Sequence, residues 1–541
     1  MTALDQMPHA ATQSTPDDEG LVLQDRAFAS FKTVVQDFDR WLSPEPAANP
    51  KISPLTGLPL PSVKETSTED LDQLFVKGKD VQEYWAALRI ANRARPLRAL
   101  ESLMWRYQEE ILDVIQWETG KARKHAFEEL LDVSQNIGFV TGKGKQILRV
   151  RKGFGALPFL STADTSFIPV GVVGVIGPWN YPFTLAISDA AAALIAGNTV
   201  VLKPASQTPL SAIIVRALLE RAGMPPGAFE LALGPGGVIG DEIVERADYV
   251  MFTGSTQVGQ GIAETCGKRL IGCSAELGGK NPSVIFPDAD LEKWAKTAVR
   301  ESFSSSGQLC VSIERMYIHE KVWDQAVELL VKHVRALNPG RDFSWNTDFG
   351  PLVNAAQFNV VKSQVDDAVA KGARVLLGGS PLPELGPTGY EPTLLTDVTP
   401  DMTVFAHETF GPVVSLYKWS TPPQVIHDAN DTTYGLNGSV WCADDLVAKE
   451  MAAQIKVGSV SINEAYGATW GAVTAPIGGF RQSGLGRRHG AQGILKYTES
   501  QTVTTGPPSL DPWFGMSAQR WAQTERLAIR VRNAAWRFLP R

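Results

Sequence analysis

At 541 residues the chain is too long for a single hydrophobic core, and 44% apolar residues can fill two or three domains. A net charge of −7 and a pI near 5.7 lack the basic footprint of a nucleic-acid binder, and no apolar run reaches the roughly 18 to 20 residues a membrane span needs. The four cysteines (Cys266, Cys273, Cys310, Cys442) fit no disulfide or metal spacing and the seven histidines form no HExxH pair, so a reducing, cytoplasmic compartment without a resident metal or secretory leader is expected.

Residues 1–30 are polar, carry Pro and acidic side chains and show no period, which predicts a disordered or loosely attached arm. A Pro/Gly-punctuated segment runs from Lys51 to Val63, and Ser67 with Asp70 forms a capping signal for a helix. Leu97, Leu100, Leu103, Met104, Tyr107, Ile111 and Val114 recur at helical spacing and predict one helix ending at Glu118-Thr119-Gly120-Lys121, its apolar stripe packed in the core. Arg149 to Val175 holds β-type runs broken by Gly and Pro.

From Gly171 short apolar runs alternate with helical patterns. Strands are expected at 171–177, 199–202, 229–233, 249–252 and 270–274, with crossover helices at 190–196, 210–222 and 259–266, the pattern of a doubly wound dinucleotide fold. A second α/β block begins near Asn281, with strands at 282–286 and 315–318 and a helix at 322–337, so a cleft between two α/β units is expected. No glycine run matches GxGxxG: Gly234-Pro235-Gly236 with Gly240 departs from it, as does Gly254 to Gly259.

Glu276-Leu277-Gly278-Gly279-Lys280 and Ser306-Gly307-Gln308-Leu309-Cys310 place a carboxylate and a thiol in Gly-containing turns, where backbone can approach a ligand closely. Alone, each has an ordinary reading: a buried inert thiol and a solvated surface charge.

In order along the chain stand Pro178-Trp179-Asn180-Tyr181-Pro182, Lys203-Pro204, Phe252-Thr253-Gly254-Ser255 with Gly259, the Glu276 and Cys310 turns, Glu408-Thr409-Phe410-Gly411-Pro412, and Ser483-Gly484-Leu485-Gly486-Arg487. With these motifs the chain resembles the NAD(P)-dependent aldehyde dehydrogenase superfamily. The resemblance implies an α/β fold with a Rossmann-type dinucleotide-binding domain (31–148 and 170–275), an α/β catalytic domain (276–475), and a small β oligomerisation arm (149–169 and 490–506). It implies Cys310 as nucleophile, Glu276 as the base that activates water against the thioester, and the Asn180 amide with the Cys310 N–H as oxyanion donors. Trp179, Lys203, Ser206, Gly236, Gly254, Ser255, Gly259, Leu277, Glu408 and Phe410 would hold the cofactor. Rival readings are a CoA-acylating dehydrogenase, against which Glu276 counts, and a non-catalytic protein on the same fold, against which the intact Cys310, Glu276 and Asn180 count.

Two departures bear on specificity. Ser206 stands where many members carry a Glu that accepts from both ribose hydroxyls, so NADP is expected, with NAD also usable. The closest branch resembled is that of succinate-semialdehyde dehydrogenases, through Lys203 to Pro209 and the stretch Arg487 to Ser500, yet the arginines that bind the substrate carboxylate there would fall at Ser188 and Ser304. Tyr181, Leu185, Tyr466, Trp470 and Ile477 are the expected substrate-tunnel lining and would equally admit a medium- or long-chain aliphatic or aromatic aldehyde. The resemblance further implies a homodimer or homotetramer. The extension 507–541 carries six Arg, with Trp521, Ala528, Val531, Ala535 and Phe538 at helical spacing, a basic amphipathic helix that would pack on its own oligomer or lie on a membrane surface.

Overall fold

The computed structural model describes residues 16–155, 161–506 and 515–535. Fifteen strands are formed among the described residues: β1 (Thr162–Pro169), β2 (Val172–Ile176), β3 (Thr199–Lys203), β4 (Phe229–Leu231), β5 (Tyr249–Thr253), β6 (Gly272–Glu276), β7 (Asn281–Ile285), β8 (Ile313–His319), β9 (Arg374–Leu377), β10 (Thr393–Thr396), β11 (Val413–Trp419), β12 (Asn437–Trp441), β13 (Ser459–Ile462), β14 (Gly484–Leu485) and β15 (Thr498–Thr505).

One sheet has the order β4-β3-β2-β5-β6-β14, parallel except for β14. Strand order reverses between β2 and β5, so the ligand crevice of a doubly wound sheet lies beyond the carboxyl ends of those two strands. Those ends run into Gly177 to Tyr181 and Gly254-Ser255. The second sheet, β13-β12-β7-β8-β11-β10-β9, is parallel apart from the β10/β9 pair. Strands β2, β3, β7 and β8 are buried along their whole length, as strands covered on both faces must be. Glu276 is the last residue of β6 and Asn281 the first of β7, so a four-residue link carries the chain from one sheet to the other at the crevice.

The strand expectations from Gly171 onward match these elements closely, with one displaced strand, while the crossover helix expected at 190–196 begins earlier, at Pro182. The run begun at Leu270 starts at Gly272, because Leu270 is the left-handed C-cap (φ 56°) of the helix Thr256–Arg269 and is 92% exposed. Two other expectations are corrected. Pro16–Val34 forms an α-helix whose Ala27, Phe31 and Val34 are fully buried, and Arg26 pairs with the buried Asp113 at 2.9 Å, so only 1–15 of the expected arm lie outside the described residues. The helix expected across Leu97 to Glu118 is two helices, Ile90–Arg106 and Gln108–Thr119, separated at Tyr107 (φ −107°, ψ 28°). Its end at Gly120 (φ 73°) and the Ser67/Asp70 capping box are as read.

Strand β1 pairs antiparallel with β15 over eight residues, and Arg151 and Phe154 bridge its other edge. This ribbon packs outside both large sheets, and its Ile168 and Val503 are exposed. Ala518–Ala535 is helical, but its half-buried face is Trp521, Glu525, Ala528 and Arg532, while Val531, expected on the apolar stripe, is 61% exposed. Phe538 lies outside the described residues. No helix among the described residues is long and apolar enough to cross a membrane.

Candidate active site

The loop before β8 is built around three consecutive left-handed residues, Ser305 (φ 51°), Ser306 (φ 58°) and Gly307 (φ 72°). A Cβ on Gly307 would stand 2.1 Å from the Gly411 carbonyl, so glycine is required there. The two serines cost roughly 1 kcal/mol or more each and are held by specific bonds. Ser305 N–H donates to His125 Nδ1 at 3.1 Å, Ser306 Oγ to the Gly350 carbonyl at 2.7 Å, and the Gln308 side chain bridges Ser305 and Val353. Three residues on, Asn281 Nδ2 donates to the Cys310 carbonyl at 2.7 Å. Cys310 is thereby fixed at the junction of the two sheets, facing the carboxyl end of β6.

The turn on the opposite wall has its own supports. A fully buried pair, Lys121 and Glu129 (2.8 Å), sits beneath it; Lys121 Nζ donates to the Asn180 carbonyl at 2.5 Å and its charge lies 3.6 Å from the Tyr181 ring centroid. Glu129 accepts from the N–H groups of Phe183 and Thr184, stabilising the N-terminus of the helix Pro182–Ala196. Asn180 is left with its side-chain amide donating to the Gln308 carbonyl at 3.0 Å, beside the cysteine loop.

Between the walls lies a cavity of about 270 Å³. It brings together Cys310, Glu276 and Asn180 with Trp179, Gly254, Ser255, Leu277, Glu408 and Phe410, and with Tyr181, Leu185 and Trp470. Tyr466 lines an adjoining cavity that shares Tyr181, Leu309 and Trp470 with the first. Ile477 lines a further small cavity that shares Leu185, Trp470 and Arg488 with the Cys310 cavity.

Electrostatics divide the groups. Burial, and the charges of Glu408 and Glu276, push the Cys310 thiol up to about 12. Burial raises Glu276 to about 7 against the pull of Arg488 and Lys496, and its Oε1 is buried without a hydrogen-bond partner among the described residues. Arg488 was not foreseen; it is ion-paired to buried Asp189 at 2.5 Å and donates to Thr253 Oγ1, beside Glu276 in the sheet register. Lys496 pairs with the same Asp189 at 3.3 Å. The signal for Arg488 lay in the Arg487-Arg488-His489-Gly490 string, but only the fold brings it against β6.

On the far side of the cavity Glu408 accepts from Gly279 N–H at 2.7 Å, and burial beside Glu314 raises it to about 8. Glu314, a second unforeseen residue, accepts from the N–H groups of Thr409 and Phe410 and pairs with Lys280 at 2.5 Å, holding Phe410 at φ 51°. The Phe410 ring meets Trp179 edge-on, centroids 5.4 Å apart.

The crevice at the strand-order switch fits a dinucleotide. Lys203 at the end of β3 is buried, with no ion-pair partner among the described residues; its Nζ meets only the Pro204 carbonyl at 2.9 Å, and burial lowers it to about 8. An unneutralised buried cation of this kind favours an anionic or hydroxyl-rich ligand. A Cβ on Gly236 would stand 4.0 Å from that Nζ, Ser206 Oγ donates to the Gly234 carbonyl, and Ser206 lines a cavity of about 400 Å³. The helix Thr256–Arg269 starts at Ser255 with no side-chain cap, leaving its first N–H groups for a phosphate. A Cβ on Gly259 would come within 2.4 Å of Leu277, so close helix–strand packing needs that glycine.

The sequence pattern of the aldehyde dehydrogenase family matches residues 41–503. A Mycobacterium tuberculosis protein named putative succinate-semialdehyde dehydrogenase [NADP(+)] 2 is 44% identical over 470 residues, 87% of this chain and 91% of that one. A betaine aldehyde dehydrogenase of Bacillus subtilis is 33% identical, covering 86% and 95%. Among solved structures, an Escherichia coli NADP-dependent enzyme superposes with a TM-score of 0.80 at 32% identity, over 85% of this chain and 94% of that one. A Staphylococcus aureus betaine aldehyde dehydrogenase mutant in complex with NAD+ gives 0.83 at 29% identity, over 89% and 99%. The chain belongs to the aldehyde dehydrogenase family.

Proposed function

We propose that this aldehyde dehydrogenase oxidises succinate semialdehyde to succinate, with NADP+ as the preferred cofactor and NAD+ as an admissible one. The observation that carries the reading is one cavity holding a buried thiol, Cys310, and a buried carboxylate, Glu276, whose Oε1 has no partner among the described residues. Burial raises that carboxyl to about 7, the range in which it can take a proton from the hydrolytic water and release it again. The names of the 44% identical relatives support the substrate and the cofactor, and favour them over a long-chain or aromatic aldehyde. Ser206 supports NADP because it sets no anion against a 2′-phosphate.

Cys310 gives its thiol proton to solvent and attacks the aldehyde carbon as thiolate, the carbonyl π pair moving onto the oxygen. The oxyanion formed takes the Cys310 backbone N–H and the second N–H of the Asn180 amide, whose first is spent on Gln308. Lys203, Ser206 and Gly236 would hold the adenosine end of the cofactor, Gly254, Ser255 and Gly259 the pyrophosphate, and Trp179, Leu277, Glu408 and Phe410 the nicotinamide end. When bound, the nicotinamide supplies the hydride acceptor. The thioester left on Cys310 is cleaved by a water that Glu276 deprotonates, and Arg488 with Lys496 keeps enough of Glu276 ionised for that step.

The β1/β15 ribbon supports a homodimer or homotetramer, since an exposed strand edge invites pairing with a second copy. Four free cysteines support a cytoplasmic setting. The basic helix Ala518–Ala535, with Leu527 and Val531 exposed, supports docking on the oligomer or on an anionic membrane surface. The test is a panel of aldehydes assayed at the nicotinamide absorbance band: succinate semialdehyde should lead with NADP+, and absence of any reduction would refute the enzyme assignment.

A further inference from the structure

Resting on the dehydrogenase reading, the geometry points to Arg300, assisted by the amide of Gln135, as the group that binds the distal carboxylate of the aldehyde; we propose that these two residues make the site select ω-carboxylated aldehydes. A second, outer cavity adjoins the Cys310 cavity: the two share Tyr181, Leu309 and Trp470, and the outer one is lined in addition by Arg300, Gln135 and Tyr466 and by two carboxylates, Glu128, which accepts from the Tyr466 hydroxyl, and Asp132, which accepts from Ser188. An aldehyde threaded past the aromatic walls to Cys310 therefore has its far end in the outer chamber. The cations of the two chambers among their described lining residues are Arg488 and Arg300. Arg488 is committed to Asp189 and Thr253, next to Glu276, where a substrate anion would oppose ionisation of the base. Arg300 is differently placed.

Arg300 lies on the helix Leu291–Phe303, one turn before Ser304, and its side chain is 50% exposed at the chamber mouth. Its guanidinium sits over the Tyr466 ring (5.4 Å to the centroid) and against Gly467, where a Cβ would come within 3.2 Å of Nη2. Its one ion pair, with Glu128, is long at 3.3 Å, and a pair this exposed is worth about 1 kcal/mol or less. Glu128 is satisfied without it, by the Tyr466 hydroxyl at 2.9 Å, and burial raises its carboxyl. With Nη2 on Glu128 and the guanidinium against Tyr466, Arg300 keeps part of its planar donor fork for a ligand carboxylate, the geometry such a group takes best. The chamber walls are mostly apolar, and Arg300 with Gln135 supplies the donors that a distal carboxylate would meet there. This also accounts for a chain that carries serine at both 188 and 304: Ser188 bonds to buried Asp132 at 3.0 Å, and the cation stands one helical turn away from Ser304.

The test compares kcat/KM for succinate semialdehyde and for butanal, with the full-length enzyme and NADP+. Arg300→Leu should lower the semialdehyde value about tenfold to a hundredfold, mostly through KM, and leave butanal within about threefold. Arg300→Lys should restore part of the loss, and Glu128→Gln, which removes the competing acceptor, should raise the semialdehyde-to-butanal ratio. Butanal turnover serves as the folding control. Equal losses on both aldehydes, or an unchanged ratio, would overturn the inference while leaving the dehydrogenase reading intact. A wild type that oxidises neither aldehyde would remove that reading and this inference with it.

Discussion

Replacing Ser206 by Glu should turn the cofactor preference from NADP toward NAD. Ser206 is half-buried, its hydroxyl spent on the Gly234 carbonyl at 2.9 Å, and it borders a cavity of about 400 Å³ between the turn after β3 and residues 47–65. Lys203, three residues earlier, is the nearby buried cation. A Glu carboxylate at this position would approach a 2′-phosphate to within about 5 Å. At an effective dielectric of about 20, two unit charges so placed repel by about 3 kcal/mol before screening. The new carboxylate would also accept from both ribose hydroxyls of NAD. Allowing for salt and rearrangement, the NADP-to-NAD ratio of kcat/KM should fall about tenfold to a hundredfold, or about 1.4 to 2.7 kcal/mol. Calorimetric titration with 2′,5′-ADP and 5′-AMP gives the same comparison without turnover, and only the first ligand should weaken. A wild type that strongly prefers NAD, or a variant with an unmoved ratio, would show that another residue reads the ribose.

Under conditions where thioester hydrolysis limits turnover, kcat should rise with pH through about 7 as Glu276 ionises, and Arg488→Lys or Arg488→Gln, by weakening the cation that favours the carboxylate, should move that rise to higher pH; a limb that stays put would free Arg488 of the role. The same group bears on stability: its folded value lies above the ordinary carboxylate value of 4.5, so its favourable contribution is full below about 4.5 and is lost as pH climbs through about 7. Glu276→Gln should therefore raise Tm at pH 8 and change it little at pH 5, and a lower Tm at pH 8 would contradict the burial argument. Light scattering at micromolar concentration should find a dimer or tetramer, and truncation before Thr498, which strips β15 from β1, should disrupt it; a monomeric full-length chain would refute the role given to the ribbon.

Much of the fold was legible because the parallel strands are short apolar runs between helical patterns, a signal that survives without any knowledge of tertiary contacts. Two misreadings have one cause. The Pro16–Val34 helix exposes most of its polar length and buries a narrow stripe, so its sequence looks unstructured until the Gln108–Thr119 helix is there to cover Phe31. The break at Tyr107 interrupts no apolar spacing, because both helices present one face to the same core. At the site, Cys310, Glu276 and Asn180 were visible in their Gly-, Asn- and Pro-marked turns. Arg488, Glu314, Lys121, Glu129 and Arg300 were not, since each acts through partners distant in sequence, such as Glu314 with Thr409 or Lys121 with Asn180.

The central claim is that Cys310 carries the acyl group and Glu276 releases it. The direct measurement is rapid-quench peptide mass spectrometry of Glu276→Gln mixed with NADP+ and succinate semialdehyde, with the reduced cofactor followed at the same time. Loss of the Glu276 charge, which raises the Cys310 thiol, should leave the thiol no less reactive. One equivalent of reduced cofactor per active site should therefore form in a burst, accompanied by a stable adduct of the substrate acyl mass on the peptide holding Cys310, and Cys310→Ala should give neither. A burst without the adduct, an adduct on another residue, or steady turnover by Glu276→Gln would contradict the account.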